Sequence, residues 1–301
     1  MNTYEQNQTA GKPFIIANPD KLKTAAGKWT VLFTAIFLLL AFTDGMAQEL
    51  CKTNVSESDL AFNNRETLAY AASYSWGPIF VDVGEVFLKT NKTKIHPTEY
   101  HMTAEAKTHK FYDKFFKVRD FYESRFTVPD IKSVYFHRDI SEGGYTIKNT
   151  YNFDWENNKV DVVIEKRHNE PKKFELNLED CTLDVITYFY YLRNLDFSEA
   201  YPNRVYTLSI VLDDDIFNIK CRYLGKEQKK IKALKVKVNC LKFAVEVIAG
   251  AVFKGDEKIT LWISDDKNHV PLELESPITV GKVKGRLIRH ENLKYPLNLV
   301  K

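Results

Sequence analysis

Seven histidines and two short acidic runs are the first places to look for chemistry in this chain. The histidines are His96, His101, His109, His137, His168, His269 and His290. No two stand at the spacing that sets a pair of metal ligands on one helix face. His101 and His109 share strand parity, but eight residues of strand would hold them about 26 Å apart, too far to bind one ion. Asp213-Asp214-Asp215 and Asp265-Asp266 lack the ligand spacing of a calcium loop. Between strands, an aspartate more commonly shapes a turn by bonding its own backbone. Cys51, Cys181, Cys221 and Cys240 fit no zinc pattern. The chain has no Gly-x-Ser-x-Gly elbow, no His-Glu-x-x-His, no Walker loop and no Gly-rich dinucleotide turn. No metal, no cofactor and no catalytic residue is therefore nominated. Two carboxylates far apart in sequence would escape such a reading, so a hydrolase stays open as a second alternative.

Aromatic side chains carry the strongest remaining signal: 16 Tyr, 20 Phe and 4 Trp, 13% of the chain. Between Tyr145 and Trp155 every odd position is apolar except Asn149, and every even position is polar. That alternation is a strand with one covered and one wet face. Tyr145, Tyr151, Phe153 and Trp155 fall on the covered face. Such a face is either plain core or, on a sheet too curved to fill, the wall of an apolar groove. With Phe189 and Tyr190 of a later apolar segment, these four are the candidate ligand-lining residues.

The elements that must position them are mostly strands. Period-2 runs recur at Tyr100–Ala106, Val160–Ile164, Phe174–Leu178, Tyr206–Leu212, Leu234–Val238, Leu241–Val247, Ile259–Ile263 and Val270–Leu274. Gly143-Gly144, Asn157-Asn158, Lys254-Gly255-Asp256 and the acidic runs punctuate them as turns. Short links between alternating strands imply an antiparallel meander, because parallel strands need long crossovers. The fold expected is mainly β: a single large curved antiparallel meander, a half-barrel or deformed barrel, with one packed helix near 180–194. Leu183, Ile186, Phe189 and Tyr190 give that helix its spacing, Asp180 its N-cap, and Arg193 a cation at the negative end of the dipole. A weaker helical stretch is expected over His109–Phe116.

Near the N-terminus, a 14-residue apolar run, Trp29–Phe42, follows Lys21, Lys23 and Lys28 and precedes Thr43-Asp-Gly-Met-Ala47. Basic stem, apolar core and small residues in that order predict a secretory signal peptide over 1–47, cut between Ala47 and Gln48. The run is short of the roughly 20 residues that span a bilayer, so no stable transmembrane span is expected after processing. The stem is long, and a translation start near Lys21 would shorten it. Glu49 and Leu50 before Cys51 do not suit a lipid-attachment cysteine. The division expected is 48–65 as an N-terminal extension, 66–290 as the β domain and 291–301 as a tail. A formal charge of +3 with 28% charged residues leaves no electrostatic footprint for nucleic acid. Export permits disulfides without requiring them in a domain of this size.

Four blocks in series resemble the DUF3108 family of exported bacterial proteins. They are Tyr74–Val86 around Trp76-Gly77, Phe116–Ser124 with Ser141–Tyr145, Asp180–Leu195, and Trp262–Leu272 leading to Gly281–Leu287. The resemblance implies a curved β architecture in the periplasm of a Gram-negative bacterium, with no established activity and no catalytic residues to transfer. Where the family has a glycine ahead of the strand containing Cys240, this chain reads Leu234-Lys-Val-Lys-Val. The function expected is a non-enzymatic binding protein for an apolar or amphipathic envelope component. A scaffolding module of envelope assembly is the alternative, and a hydrolase of envelope polymers the second alternative. The partner is accordingly a lipid-like ligand or an envelope protein.

Overall fold

The computed structural model of the chain describes residues 48–49, 54–246, 258–278 and 280–300. The expected signal segment, including Ala47, and Cys51 lie outside them. Gln48 opens the first strand, β1 (Gln48–Glu49).

A first meander runs through β2 (Thr67–Trp76), β3 (Ile79–Lys92), β4 (Glu99–Thr108), β5 (Arg119–Thr127) and β6 (Lys132–Glu142). It continues through β7 (Tyr145–Asp154), β8 (Lys159–Lys166) and β9 (Lys172–Asn177). The chain then crosses through β10 (Thr182–Leu183) and the helix α1 (Val185–Arg193). A second meander follows: β11 (Val205–Leu212), β12 (Asp215–Ile231), β13 (Val236–Glu246), β14 (Lys258–Ser264), β15 (Pro271–Pro277) and β16 (Lys282–Glu291). β16 pairs antiparallel with β2, with Leu287 opposite Tyr70, and so fuses the two meanders. The hydrogen-bonded order is β1-β11-β12-β13-β14-β15-β16-β2-β3-β4-β5-β6-β7-β8-β9, and this path is not closed. Among the described strands, only β1 and β10 lie parallel to their neighbour, β11. The mainly β, antiparallel, curved architecture read from the sequence is the one observed.

Alternation sets which side chains enter the interior. In β4, Tyr100, Met102, Ala104 and Ala106 are buried while their neighbours are not. In β7, Ile147, Asn149 and Tyr151 are buried and Lys148 and Asn152 exposed. Lys235, in the β12–β13 turn, adopts φ +55, a conformation that favours glycine and that this chain fills with lysine.

The helix is shorter than its sequence pattern. Its N-cap is Asp184, not Asp180. Cys181 takes φ +67 and Thr182–Leu183 pair with β11, so no helix can form before Asp184. Asp184 accepts from the backbone N–H groups of Ile186 and Thr187 at 2.9 Å each. Its second oxygen accepts from the hydroxyls of Ser124 (2.9 Å), Ser133 (2.6 Å) and Thr187 (2.6 Å). The cap thereby bolts the helix to β5 and β6. The segment His109–Phe116 contains only one 3₁₀ turn, Tyr112–Lys114.

Arg193, at the other end of α1, is fully buried and pairs with buried Glu66, 127 residues away, through contacts of 2.5 and 3.0 Å. Its remaining N–H groups donate to Ala61 O (3.1 Å) and Asn268 O (2.9 Å). One guanidinium thus ties the helix to the chain entering β2 and to the β14–β15 turn. Removing one partner of such a pair strands a charge in the interior. Glu66→Ala is expected to cost about 3–5 kcal/mol in urea unfolding, and Glu66→Leu combined with Arg193→Met less than Glu66→Ala alone. Equal or additive losses would contradict the pairing.

Candidate functional site

The six residues read from the sequence as ligand-lining fall in different parts of the interior. Tyr151 is buried, stacked on Phe136 with centroids 5.5 Å apart, and donates to Asp213 O at 3.2 Å. Tyr145 is half-buried, and burial raises its phenol pKa. Phe153 and Trp155 stack on each other at 6.2 Å, and Trp155 Nε1 donates to Ser133 O at 2.7 Å. Tyr190 accepts from Thr90 Oγ1 at 2.9 Å and packs edge-on against Phe62 at 5.0 Å. Phe189 borders an empty space.

That space is an apolar cavity of about 80 Å³ between α1 and the sheet. Val185, Tyr188, Phe189 and Leu192 form its helical wall. Tyr70, Val86 and Leu88 close it from the first meander, and Leu261, Leu274 and Gly285 from the second. A smaller cavity of about 30 Å³ shares Phe189 and Leu192 and extends toward Phe197, Phe243 and His269. Phe189 and Leu192 are the only half-buried residues on an otherwise buried helix, and they stand between the two spaces.

Two features of the wall decide its chemistry. The Tyr188 hydroxyl and the Cys221 thiol lie 3.1 Å apart and satisfy each other. Burial pushes the Cys221 thiol up to about 12, so it is neither a thiolate nor a nucleophile at neutral pH. Gly285 supplies the room: a Cβ built there meets no atom within 4 Å. Gly285 pairs with Leu274 and lies between buried Val283 and Leu287, so its missing side chain belongs to the inward face. A glycine at an inward position was the one sequence signal for this cavity. The remaining lining is ordinary core by residue type.

Trp262 illustrates the outer face. Its Nε1 donates to Glu227 at 2.7 Å, and Lys229 Nζ sits 3.3 Å from the ring centroid. Lysine stems from neighbouring strands cover this indole, while Leu261 on the opposite face meets the cavity.

The interior of the first meander adds a buried polar cluster to its apolar core. Buried Arg138 pairs with Asp213, and the Asn149 amide lies 2.9 Å from the Tyr151 hydroxyl. Asp213 sits at φ +51 in the β11–β12 turn, which accounts for the first acidic run. In the second run, Asp266 accepts from Asn268 N at 2.9 Å and shapes the β14–β15 turn. Buried Asp120 is hydrogen-bonded to buried Glu142, an arrangement that requires a proton between them. Neither carboxylate borders the cavity. Among the described residues, no group of three or more His, Cys, Asp or Glu side chains could hold a metal ion. Cys221 and Cys240 are free and Cys181 is disulfide-bonded.

An open, curved antiparallel sheet wrapped around one short helix, with an apolar cavity beneath it, is the class this geometry defines. The chain belongs to the DUF3108 family, described as proteins of unknown function, which matches residues 69–288. No curated protein matches it. Among solved structures it is similar to a β-barrel-like protein of the DUF1849 domain from Brucella abortus. The TM-score is 0.52 at 10% identity, over 78% of this chain and all of that one. That likeness shows the fold. It also aligns with a hypothetical protein from Chlamydia trachomatis (TM-score 0.31, 8% identity, 81% of this chain and 96% of that one). A third match is a Bacteroides fragilis protein, described as exported, with a YmcC-like fold (TM-score 0.28, 7% identity, 76% and 97%).

Burial raises the Asp120 carboxyl to about 6. An unfolded aspartate titrates near about 4. The folded state therefore binds this proton more tightly, and the group's contribution to stability is complete below about pH 4. It is lost as pH rises through about 6. Asp120→Asn keeps a donor toward Glu142 and removes the titration. Relative to wild type, its stability is expected to rise by about 2 kcal/mol between pH 4 and pH 7 in urea unfolding. A parallel pH profile for the two proteins would contradict this.

Proposed function

We propose that this is an exported, non-enzymatic protein of the periplasm that holds an apolar or amphipathic envelope component against α1. The observation that carries the reading is the cavity itself, bounded by the helix and by strands of both meanders and left open at Gly285. Native interiors rarely leave such space, and an apolar void stays dry and takes apolar guests. At about 80 Å³ it is smaller than the roughly 150 Å³ void that admits benzene. A chain-like ligand must therefore displace Phe189 and Leu192, which stand between the two spaces. The part of the ligand that enters is accordingly thin and unbranched, as an acyl chain is. Phe189 lines the site as resident rather than bystander. Tyr145, Tyr151, Phe153, Trp155 and Tyr190 would meet a ligand only if it extended beyond the helix.

Export is supported by the basic–apolar–small order of residues 21–47 and by a disulfide at Cys181, since disulfides persist in oxidising compartments. No helix among the described residues is long and apolar enough to cross a membrane. The scaffolding alternative needs a free sheet edge. β9, at one end of the sheet, is a short strand bearing Lys172, Lys173 and Glu175, a charge pattern that discourages strand addition. The hydrolase alternative needs carboxylates at the cavity, and none lines it.

Gly285→Val separates folding from binding. The added methyls enter the empty space, so thermal stability is expected to hold or rise, while affinity for a fluorescent fatty-acid probe falls by about tenfold or more. Native mass spectrometry of the wild-type chain is expected to show a copurified apolar adduct that the variant lacks. Equal probe binding by both proteins would overturn the assignment.

A further inference from the structure

Six of the ten large apolar side chains exposed among the described residues gather at one end of the sheet. Trp76 is 56% exposed, and Ile79 and Phe80 follow it on the β2–β3 hairpin. Phe111 and Phe115, 65% and 68% exposed, lie in the β4–β5 connection, and Val280 precedes β16.

The register explains why three connections distant in sequence meet there. Trp76 pairs with Ile79 at the hairpin tip, and Thr108 at the end of β4 pairs with Gly84 on the same strand. His109 N donates to Val83 O at 2.9 Å, which draws the β4–β5 connection alongside β3. Lys282 at the start of β16 pairs with Ser75, and the Tyr74 hydroxyl donates to Val280 O at 3.0 Å. The tip projects past the packed part of the sheet, for β3 carries no buried residue before Gly84.

Charge in the β4–β5 connection is one-sided. Within the β4–β5 connection the single acid, Asp113, is held by Arg119 at 2.6 Å. Lys110, Lys114 and Lys117 form no salt bridge among the described residues. On the far side Arg286 lies over the Phe80 ring at 5.0 Å and is paired with Asp82 of β3. Lysine is depleted from protein–protein interfaces. Trp and Phe flanked by lysines instead suit the boundary of an anionic bilayer, where rings enter the headgroup layer and ammonium groups stay at the phosphates.

We infer that this end of the sheet is a docking surface for anionic phospholipid bilayers, inserted through Trp76, Phe80, Phe111 and Phe115 and held by Lys110, Lys114 and Lys117. The inference stands whether or not the cavity takes a ligand. If both hold, the dock sets the cavity at a fixed depth from the lipid, since Gly285 pairs with Ala72 on the strand that ends at Trp76. Four residues of strand separate those levels by about 13 Å.

The test follows Trp76 itself, as the fluorescence difference between the full chain and its Trp76→Phe variant. Vesicles of phosphatidylethanolamine with one quarter phosphatidylglycerol carry bromine on their acyl chains. The expected result is a blue-shifted, quenched Trp76 signal, much weaker on phosphatidylcholine alone. Apparent affinity is expected to fall about tenfold or more when Lys110, Lys114 and Lys117 are all replaced by Gln. Circular dichroism shows whether each variant keeps its fold. Attachment through residues 29–42 alone would leave Trp76 in water and unquenched. An unquenched Trp76, a signal indifferent to the three lysines, or one that responds only to added protein would overturn the inference.

Discussion

A guanidinium buried beside a carboxylate organises this molecule. Arg193 cannot be left without partners in the interior, because a desolvated charge is far more costly than any single packing defect. Its partners come from the chain entering β2, from the β14–β15 turn and from the segment at Ala61. Those pieces lie on both sides of the β16–β2 seam. The pair adds little net stability over a well-packed apolar substitute, by the usual balance of desolvation against attraction. Its value lies in position: the four hydrogen bonds of Arg193 fix where the end of α1 sits. Asp184 fixes the other end of the helix to β5 and β6 by the same logic, with a carboxylate that accepts from two backbone N–H groups and three hydroxyls.

Once both ends of α1 are pinned, the interior divides. Toward β6 and β7 the space is filled by a hydrogen-bonded set around Arg138, Asn149, Tyr151 and Asp213, and a void there would orphan polar atoms. Toward β12–β16 the lining is apolar, with Tyr188 and Cys221 satisfying each other. A void there costs only lost contacts. The interior thus holds a hydrogen-bonded polar cluster near β6 and β7 and an apolar cavity against α1. An apolar group filling that cavity would leave the polar cluster undisturbed.

Strand parity was legible from residue order alone. Ile147–Asn152 alternates as read, and the one polar residue at a covered position, Asn149, proved to be a buried polar partner rather than a break in the pattern. Helix content was legible too, but the start was not. Asp180 and Asp184 are equivalent caps by residue type, and the choice between them rests on a positive φ at Cys181 and on two β5 and β6 serines far away in sequence. The pairing of Arg193 with Glu66 was hidden for the same reason, since Arg193 reads as an ordinary cation at a helix C-terminus. Long-range partners leave no periodic trace. Aromatic residues marked the interior without marking where it is empty, because a filled and an unfilled apolar face have the same composition. Only Gly285, by what it omits, carried that information.

Hydrogen–deuterium exchange along α1 tests the central claim most directly. If the Arg193 and Asp184 anchors make helix and sheet one cooperative unit, the amides of Tyr188–Arg193 open with the same free energy as those in the middle of β2 and β14, at the global unfolding limit. Helix amides that exchange orders of magnitude faster than their sheet neighbours, in the folded protein, would show that α1 moves independently of its anchors and would contradict the account.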